Sequence, residues 1–446
     1  MTKIITTNLS SLYLFKQPLN RFKTNKSVSL LDIRFDLPTN SKYLCKRSIA
    51  EPMLDLNKLA DQLPQISQHL RKEAISSSKR LERAVNLLEE MATQQDDFVA
   101  MHRQWGDRLN FAAAVPTEPL DARLMIIPAP EQHTVVATDG SQISPNHHEI
   151  AYCYLINTGR IVIHYGQNRH PLLDSVPEVF YRHEDLQISQ QWGIKTEEWL
   201  GYQRAVSEAI VLADLAVATQ GTINPHIPML ALVDGSLIHW AWESIPVAAR
   251  DRLLKPVLAA WDQLADRKIP LISYISASRS SESLNFLRLG ACTFTNHNCP
   301  VNCPGPATPP CQLFESLRDS SLWGNLLTPG QRGPLWRSSA QILQHYQRHT
   351  VYFCYVHVGT EIARVEMPQW VAEDPQALNQ ALSLALAQVQ KGQGYPVALA
   401  EAHNQAVIRG GDRTRFFSLL EQQLIKAGIK NVSISAKESR KRGSIT

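Results

Sequence analysis

One acidic tripeptide ends two apolar, strand-like runs. Asp139-Gly140-Ser141 follows Thr134-Val135-Val136-Ala137, and Asp234-Gly235-Ser236 follows Met229-Leu230-Ala231-Leu232-Val233. A carboxylate at the end of a buried strand is held rigidly at the sheet's edge, and the glycine after it lets the backbone turn sharply. Asp-Gly and Gly-Ser are common turn dipeptides, so one copy alone reads as a turn. Two copies on neighbouring strands allow more. Hard divalent cations take oxygen ligands, so the two carboxylates can share one metal, the arrangement that metal-assisted phosphodiester hydrolysis needs.

The elements around the motifs define the fold class. Val135–Thr138, Glu149–Asn157 and Arg160–Tyr165 read as a three-strand meander, with Thr158-Gly159 as a tight turn. Helix Trp199–Gln220, the strand ending at Asp234, helix Ala248–Leu264 and strand Pro270–Ser276 follow. That order indicates an α/β fold, a mixed sheet flanked by helices. A hairpin is expected at Val351–Val358 and Ile362–Glu366, and Asp374-Pro375 is an N-cap and first-turn pair opening a helix to about Lys391. A last helical element begins near Ala400 and resumes at about Asp412.

Outside this core, residues 53–115 read as a helical arm, with Leu70, Ala74, Leu81, Ala84, Leu88 and Met91 at spacings of three, four and seven. The arm either dimerises as a coiled coil or packs on its own domain. Residues 1–52, rich in Ser, Thr, Lys and Asn with only Asp32, Asp36 and Glu51 as acids, read as a poorly ordered extension. They resemble a transit peptide in part, and Met53 is an alternative start. Residues 116–430 form the main domain, and 431–446 a basic tail. The chain of 446 residues has no apolar run of eighteen, so no membrane span is expected. Seven cysteines, an odd number, and a net charge of +4 fit a reducing cytoplasm and do not by themselves imply nucleic acid.

Two aspartates do not complete a nuclease centre. Glu208, in the middle of the Trp199–Gln220 helix, stands four residues after Arg204, so the two share a face as an ion pair. Asp214 on the same helix competes for the role. His403, just after Val397–Leu399, can ligate a metal or carry a proton near neutral pH.

In order, Asp139-Gly140-Ser141-Gln142 after a strand, Arg204 and Glu208 in a helix, Asp234-Gly235-Ser236 after a strand, and Pro396 with Ala402-His403 resemble the NurA nuclease family over roughly 134–410. The resemblance implies a ribonuclease-H-like core and metal-dependent degradation of DNA ends with Mn²⁺ (or Mg²⁺), a role in break repair. It implies Asp139, Glu208 and Asp234 as ligands, His403 completing the site, a homodimer, and docking on a hexameric HerA-type translocase. The chain looks most like the cyanobacterial branch. Where the family often has a lysine after the strand following the second aspartate, this chain has Ser276-Ala277-Ser278-Arg279. Arg279 can hold phosphate, as can Arg204, but arginine is not a tunable proton carrier.

The Pro/Gly/Cys-rich stretch 292–336 reads as an irregular insertion. It carries Cys292, Cys299, Cys303 and Cys311 with His297 beside them. That spacing is compatible with Zn²⁺, with an iron–sulfur cluster, or with unliganded thiols. Against the nuclease reading stands a catalytically silent binding module of the same fold that caps a translocase. A phosphatase on a related sheet is the third reading, though neither Asp-Gly-Ser turn offers a glycine-rich phosphate cradle.

Overall fold

The structure is a computed structural model that describes residues 59–429 except 61, 306–308, 310 and 315. The expected N-terminal extension, the Met53 start and the basic tail lie outside the described residues. The chain divides into two compact units, Met1–Pro64 and Gln65–Thr446; in the first, residues 59 and 60 are helical.

The principal elements begin with helices α1 (Leu63–Ala92) and α2 (Gln95–Trp105). Strands β1 (His133–Ile143), β2 (Tyr154–Tyr165) and β3 (Leu172–Phe180) follow. Then come α3 (Thr196–Gln220), β4 (Met229–Asp234), α4 (Val247–Asp266), β5 (Leu271–Ile275) and α5 (Glu282–Ala291). Hairpin β6 (Val351–His357) and β7 (Ile362–Pro368) precedes α6 (Pro375–Lys391), α7 (Val397–Ala406) and α8 (Gly410–Lys426). As read from the sequence, Asp374 caps α6, accepting from the backbone N–H of Gln376 and Ala377.

The long strands lie in the order β6-β7-β5-β4-β1-β2-β3. Strand β4 runs parallel to β1 and β5, and the other pairings are antiparallel. Side chains alternate across a strand, so successive residues feed opposite layers. Val136, Ala231 and Leu271 pack with Leu212, Ala216, Leu253 and Val257 of α3 and α4. Val135, Ala137, Leu230 and Leu232 pack on the other face with Leu382, Leu399 and Ala402 of α6 and α7. Both faces are covered, which explains the unbroken apolar runs. A third cluster holds Ala84, Leu88 and Met91 of α1 against Leu284, Phe286 and Leu287 of α5.

Two local expectations are corrected. Thr158-Gly159 is not a turn, because β2 runs unbroken from Tyr154 to Tyr165 and Leu172–Phe180 is the third meander strand. Gly159 sits in mid-sheet, where a Cβ would overlap the Ala402 carbonyl and approach Ala406 N at 2.6 Å. Glycine is there to admit the backbone of α7. The insertion is less irregular than its composition implies: Asp319–Leu326 is helical, and Gln331–Arg332 and Trp336–Arg337 join the sheet beside β6.

Candidate active site

The parallel register pairs Thr138 with Val233, so the next residues, Asp139 and Asp234, stand side by side on adjacent strands. The two motifs then diverge. At Asp234 the parallel strand ends and the chain turns, with Gly235 at φ 81°. At Asp139 it does not turn: β1 continues to Ile143, still paired with β2. Gly140 is required instead by close approach, since a Cβ there would strike Glu208 Oε1 and lie 2.7 Å from Arg204 Cγ. That contact places Glu208 of α3 over Gly140, within electrostatic reach of Asp139 and Asp234.

Each serine fixes its motif. Ser141 Oγ donates to the Ala406 carbonyl, and Asn157 Nδ2 donates to the same oxygen at 2.8 Å. These bonds satisfy an open carbonyl at the end of α7 and set the helix that carries His403. His403 Nδ1 meets Asp139 Oδ2 at 2.8 Å. A carboxylate only accepts, so Nδ1 carries the proton and Nε2 is the free position. Ser236 Oγ and Leu237 N both donate to Glu366 Oε2 at 2.8 Å. Glu366 is in turn held by buried Arg364, Nε to Oε1 2.7 Å. Thr138 Oγ1, donating to the Glu208 carbonyl at 3.1 Å, ties α3 to β1.

The electrostatics are those of crowded carboxylates. Burial first pushes the Glu208 carboxyl up, to about 8; Arg204 opposes this, while Asp139 and Asp234 add to it. Glu208 Oε1 is buried without a hydrogen-bond partner, and Arg204 Nε lies 3.4 Å away. Burial also raises Asp234, against a hydrogen bond from Tyr395 and with a contribution from Asp139. Carboxylate oxygens with one imidazole suit Mn²⁺ or Mg²⁺. Among the described residues, no three His, Cys, Asp or Glu groups stand in an ion-ligating arrangement.

A consequence concerns Glu208→Gln. The unfolded carboxyl titrates near 4.5 and the folded one near 8. Between those values the folded chain holds a proton that the unfolded chain has released, so metal-free stability falls as pH rises through the window. Glutamine carries no such charge. In EDTA, urea midpoints should favour the variant by roughly 1–3 kcal/mol above about pH 8 and show little difference below about pH 4.5. Equal midpoints at both ends would show that Glu208 is not held among like charges.

Of the other expected residues, Asp214 is exposed, leaving Glu208 as the helix carboxylate that faces the pair. Arg204 is in the site, its Nη1 donating to the Gly140 carbonyl at 3.3 Å. Exposed Arg279 instead lines a neighbouring cleft of ≈ 330 Å³ with Ser236, Trp240 and Glu366. The four expected cysteines cluster elsewhere, around a separate small cavity. Sequence reasoning missed Tyr395, which hydrogen-bonds Asp234. It also missed Glu361, which accepts from Tyr274 Oη at 2.9 Å and from Ser276 Oγ at 2.8 Å. No local pattern marks either one. Arg364 and Glu366 alternate on β7 and would read as a solvated face, yet both are buried.

No curated protein matches the chain. Among solved structures, the NurA nuclease from Sulfolobus solfataricus is similar at 13% identity and a TM-score of 0.46, covering 83% of this chain and 98% of that one. The NurA domain family model matches residues 133–408, the segment that contains Asp139, Glu208, Asp234 and His403. With more than half of its length inside that match, the chain belongs to the NurA domain family.

Proposed function

We propose that the chain is a divalent-metal-dependent nuclease that hydrolyses DNA phosphodiester bonds, acting at DNA ends. The observation that carries the reading is that three carboxylates from three elements, Asp139, Glu208 and Asp234, lie within electrostatic reach of one another, with His403 bonded to the first. The strand order β3-β2-β1-β4-β5, three antiparallel strands followed by two parallel ones, supports a ribonuclease-H-like core.

Bound Mn²⁺ or Mg²⁺ would supply positive charge to polarise the scissile phosphate and acidify the attacking water. Asp139, Asp234 and Glu208 would hold the ion, with His403 Nε2 as a further donor. Tyr395 keeps Asp234 oriented through its hydrogen bond. Arg204 limits repulsion at Glu208.

Arg279 and Trp240 suit a single-stranded segment of substrate. Trp240 is 43% exposed. It lines both the Arg279 cleft and a second cleft of ≈ 650 Å³ that contains Arg103 and Arg337. An indole between two clefts that each carry arginine suits base stacking, with Arg279 on one side and Arg103 and Arg337 on the other able to meet phosphates. In EDTA, Trp240→Ala should weaken binding of a fluorescent single strand by about 1–3 kcal/mol. Arg279→Gln should flatten the log K against log salt slope by about 0.7. Unchanged anisotropy curves for both variants would remove these residues from the path.

The family resemblance carries the homodimer and the HerA-type partner into the proposal. Exposed Ile66 and Leu70 on α1 support a contact made by the arm. The test of the function is degradation of end-labelled linear DNA by the full chain in Mn²⁺, Mg²⁺ or EDTA. Metal-dependent loss of label is expected. No cleavage, even with a translocase present, would favour the silent binding module.

A further inference from the structure

The cysteine loop acquires a geometry that its spacing did not reveal. Cys292 is the residue after α5, while Cys299 opens a single helical turn and Cys303 follows it, its N–H donating to the Cys299 carbonyl at 2.9 Å. Cys311 comes from the far side of the loop and is 5% exposed. All four side chains, together with His297, line one cavity of ≈ 10 Å³, about the space of a single small sphere. The cysteines are free thiols.

His297 is the second, independent observation. It is 5% exposed, and its Nε2 lies 3.2 Å from the Leu289 carbonyl. A carbonyl accepts, so Nε2 carries the proton and Nδ1 presents its lone pair. That buried Nδ1 has no hydrogen-bond partner. An imidazole whose outer N–H is fixed by a backbone carbonyl is the usual setting of a metal-ligating histidine. Arg288 Nη2 donates to Cys311 Sγ at 3.6 Å.

We infer that this pocket holds one zinc ion, ligated by His297 Nδ1 and three thiolates drawn from Cys292, Cys299, Cys303 and Cys311. Zinc takes four such nitrogen and sulfur donors, and this pocket offers five. An iron–sulfur cluster also uses four thiolates, but it leaves the buried imidazole Nδ1 of His297 without a role, whereas zinc takes mixed nitrogen and sulfur donors. Unliganded thiols would leave the Nδ1 lone pair buried and unmatched, which is unfavourable. Since the groups do not already stand at ion-ligating spacing, zinc would draw the sulfurs inward. Its role is structural: it pins the end of α5, whose Leu284 and Phe286 pack on α1. The inference stands apart from the nuclease reading, because the carboxylate site shares no residue with it.

The experiment is elemental analysis of the full-length chain purified without chelator. One equivalent of zinc is expected, lost in Cys299→Ser/Cys303→Ser and held at least tenfold more weakly in His297→Ala. A second arm needs no variant to fold: titrating wild type with a mercurial thiol reagent should release zinc in step with thiol modification. Cobalt exchanged into the pocket should show the intense visible bands of tetrahedral thiolate coordination. Absence of zinc after incubation with zinc salt, iron in its place, or zinc that survives thiol modification would each overturn the inference.

Discussion

Asp139→Asn and Asp234→Asn should each lower metal-dependent DNA cleavage by about 10³-fold or more, on the order of 4 kcal/mol of transition-state stabilisation. Asparagine keeps the shape of the side chain and an acceptor for the Gly140 N–H, which bonds Asp139 Oδ1 at 2.7 Å. What it removes is the negative charge that a divalent cation needs. The same charges raise the Glu208 carboxyl, and Asp139 also raises Asp234, so losing one should leave the fold intact. The decisive pattern is therefore divergence: cleavage collapses while thermal midpoint and DNA binding in EDTA hold. Either variant retaining a tenth of wild-type cleavage would place the chemistry elsewhere.

Gly159→Ala should produce a large loss of stability from a single added methyl group. The new Cβ would overlap the Ala402 carbonyl and lie 2.6 Å from Ala406 N. Both are backbone atoms of α7 and cannot rotate away, so the helix must lift from β2. Overpacking of this kind costs about 1–3 kcal/mol and more where the neighbour is rigid. Lifting α7 also strains the bonds from Ser141 and Asn157 to Ala406, and with them the approach of His403 to Asp139. Urea denaturation should show a fall of about 3 kcal/mol, with cleavage falling further than stability alone explains. Gly410→Ala is the control, because a Cβ there meets nothing within 4 Å. Equal stability of the two variants would contradict the close approach.

The central strands were legible because they are buried on both faces, so Val135–Ala137 and Leu230–Val233 form unbroken apolar runs bounded by acids. The N-cap at Asp374 and the hairpin were legible because their determinants are local. Gly159 misled for the opposite reason. Its need for glycine comes from a helix more than two hundred residues later, and sequence alone presents only a turn-forming dipeptide. Gly140 is a similar case, glycine for approach rather than for turning. The candidate carboxylates could be named because recurrence and strand context marked them, whereas Tyr395 and Glu366 act through contacts with no sequence period. The cysteine spacing was looser than a zinc clip, and only folding brings Cys292, Cys311 and His297 to one cavity.

The most direct test of the shared-cation account is anomalous diffraction from crystals of this protein soaked in Mn²⁺. The account predicts a manganese peak between Asp139 and Asp234, about 2–2.6 Å from their carboxylate oxygens, with Glu208 turned toward it. Manganese-dependent cleavage in solution, with no peak at these carboxylates in the crystal, would contradict it.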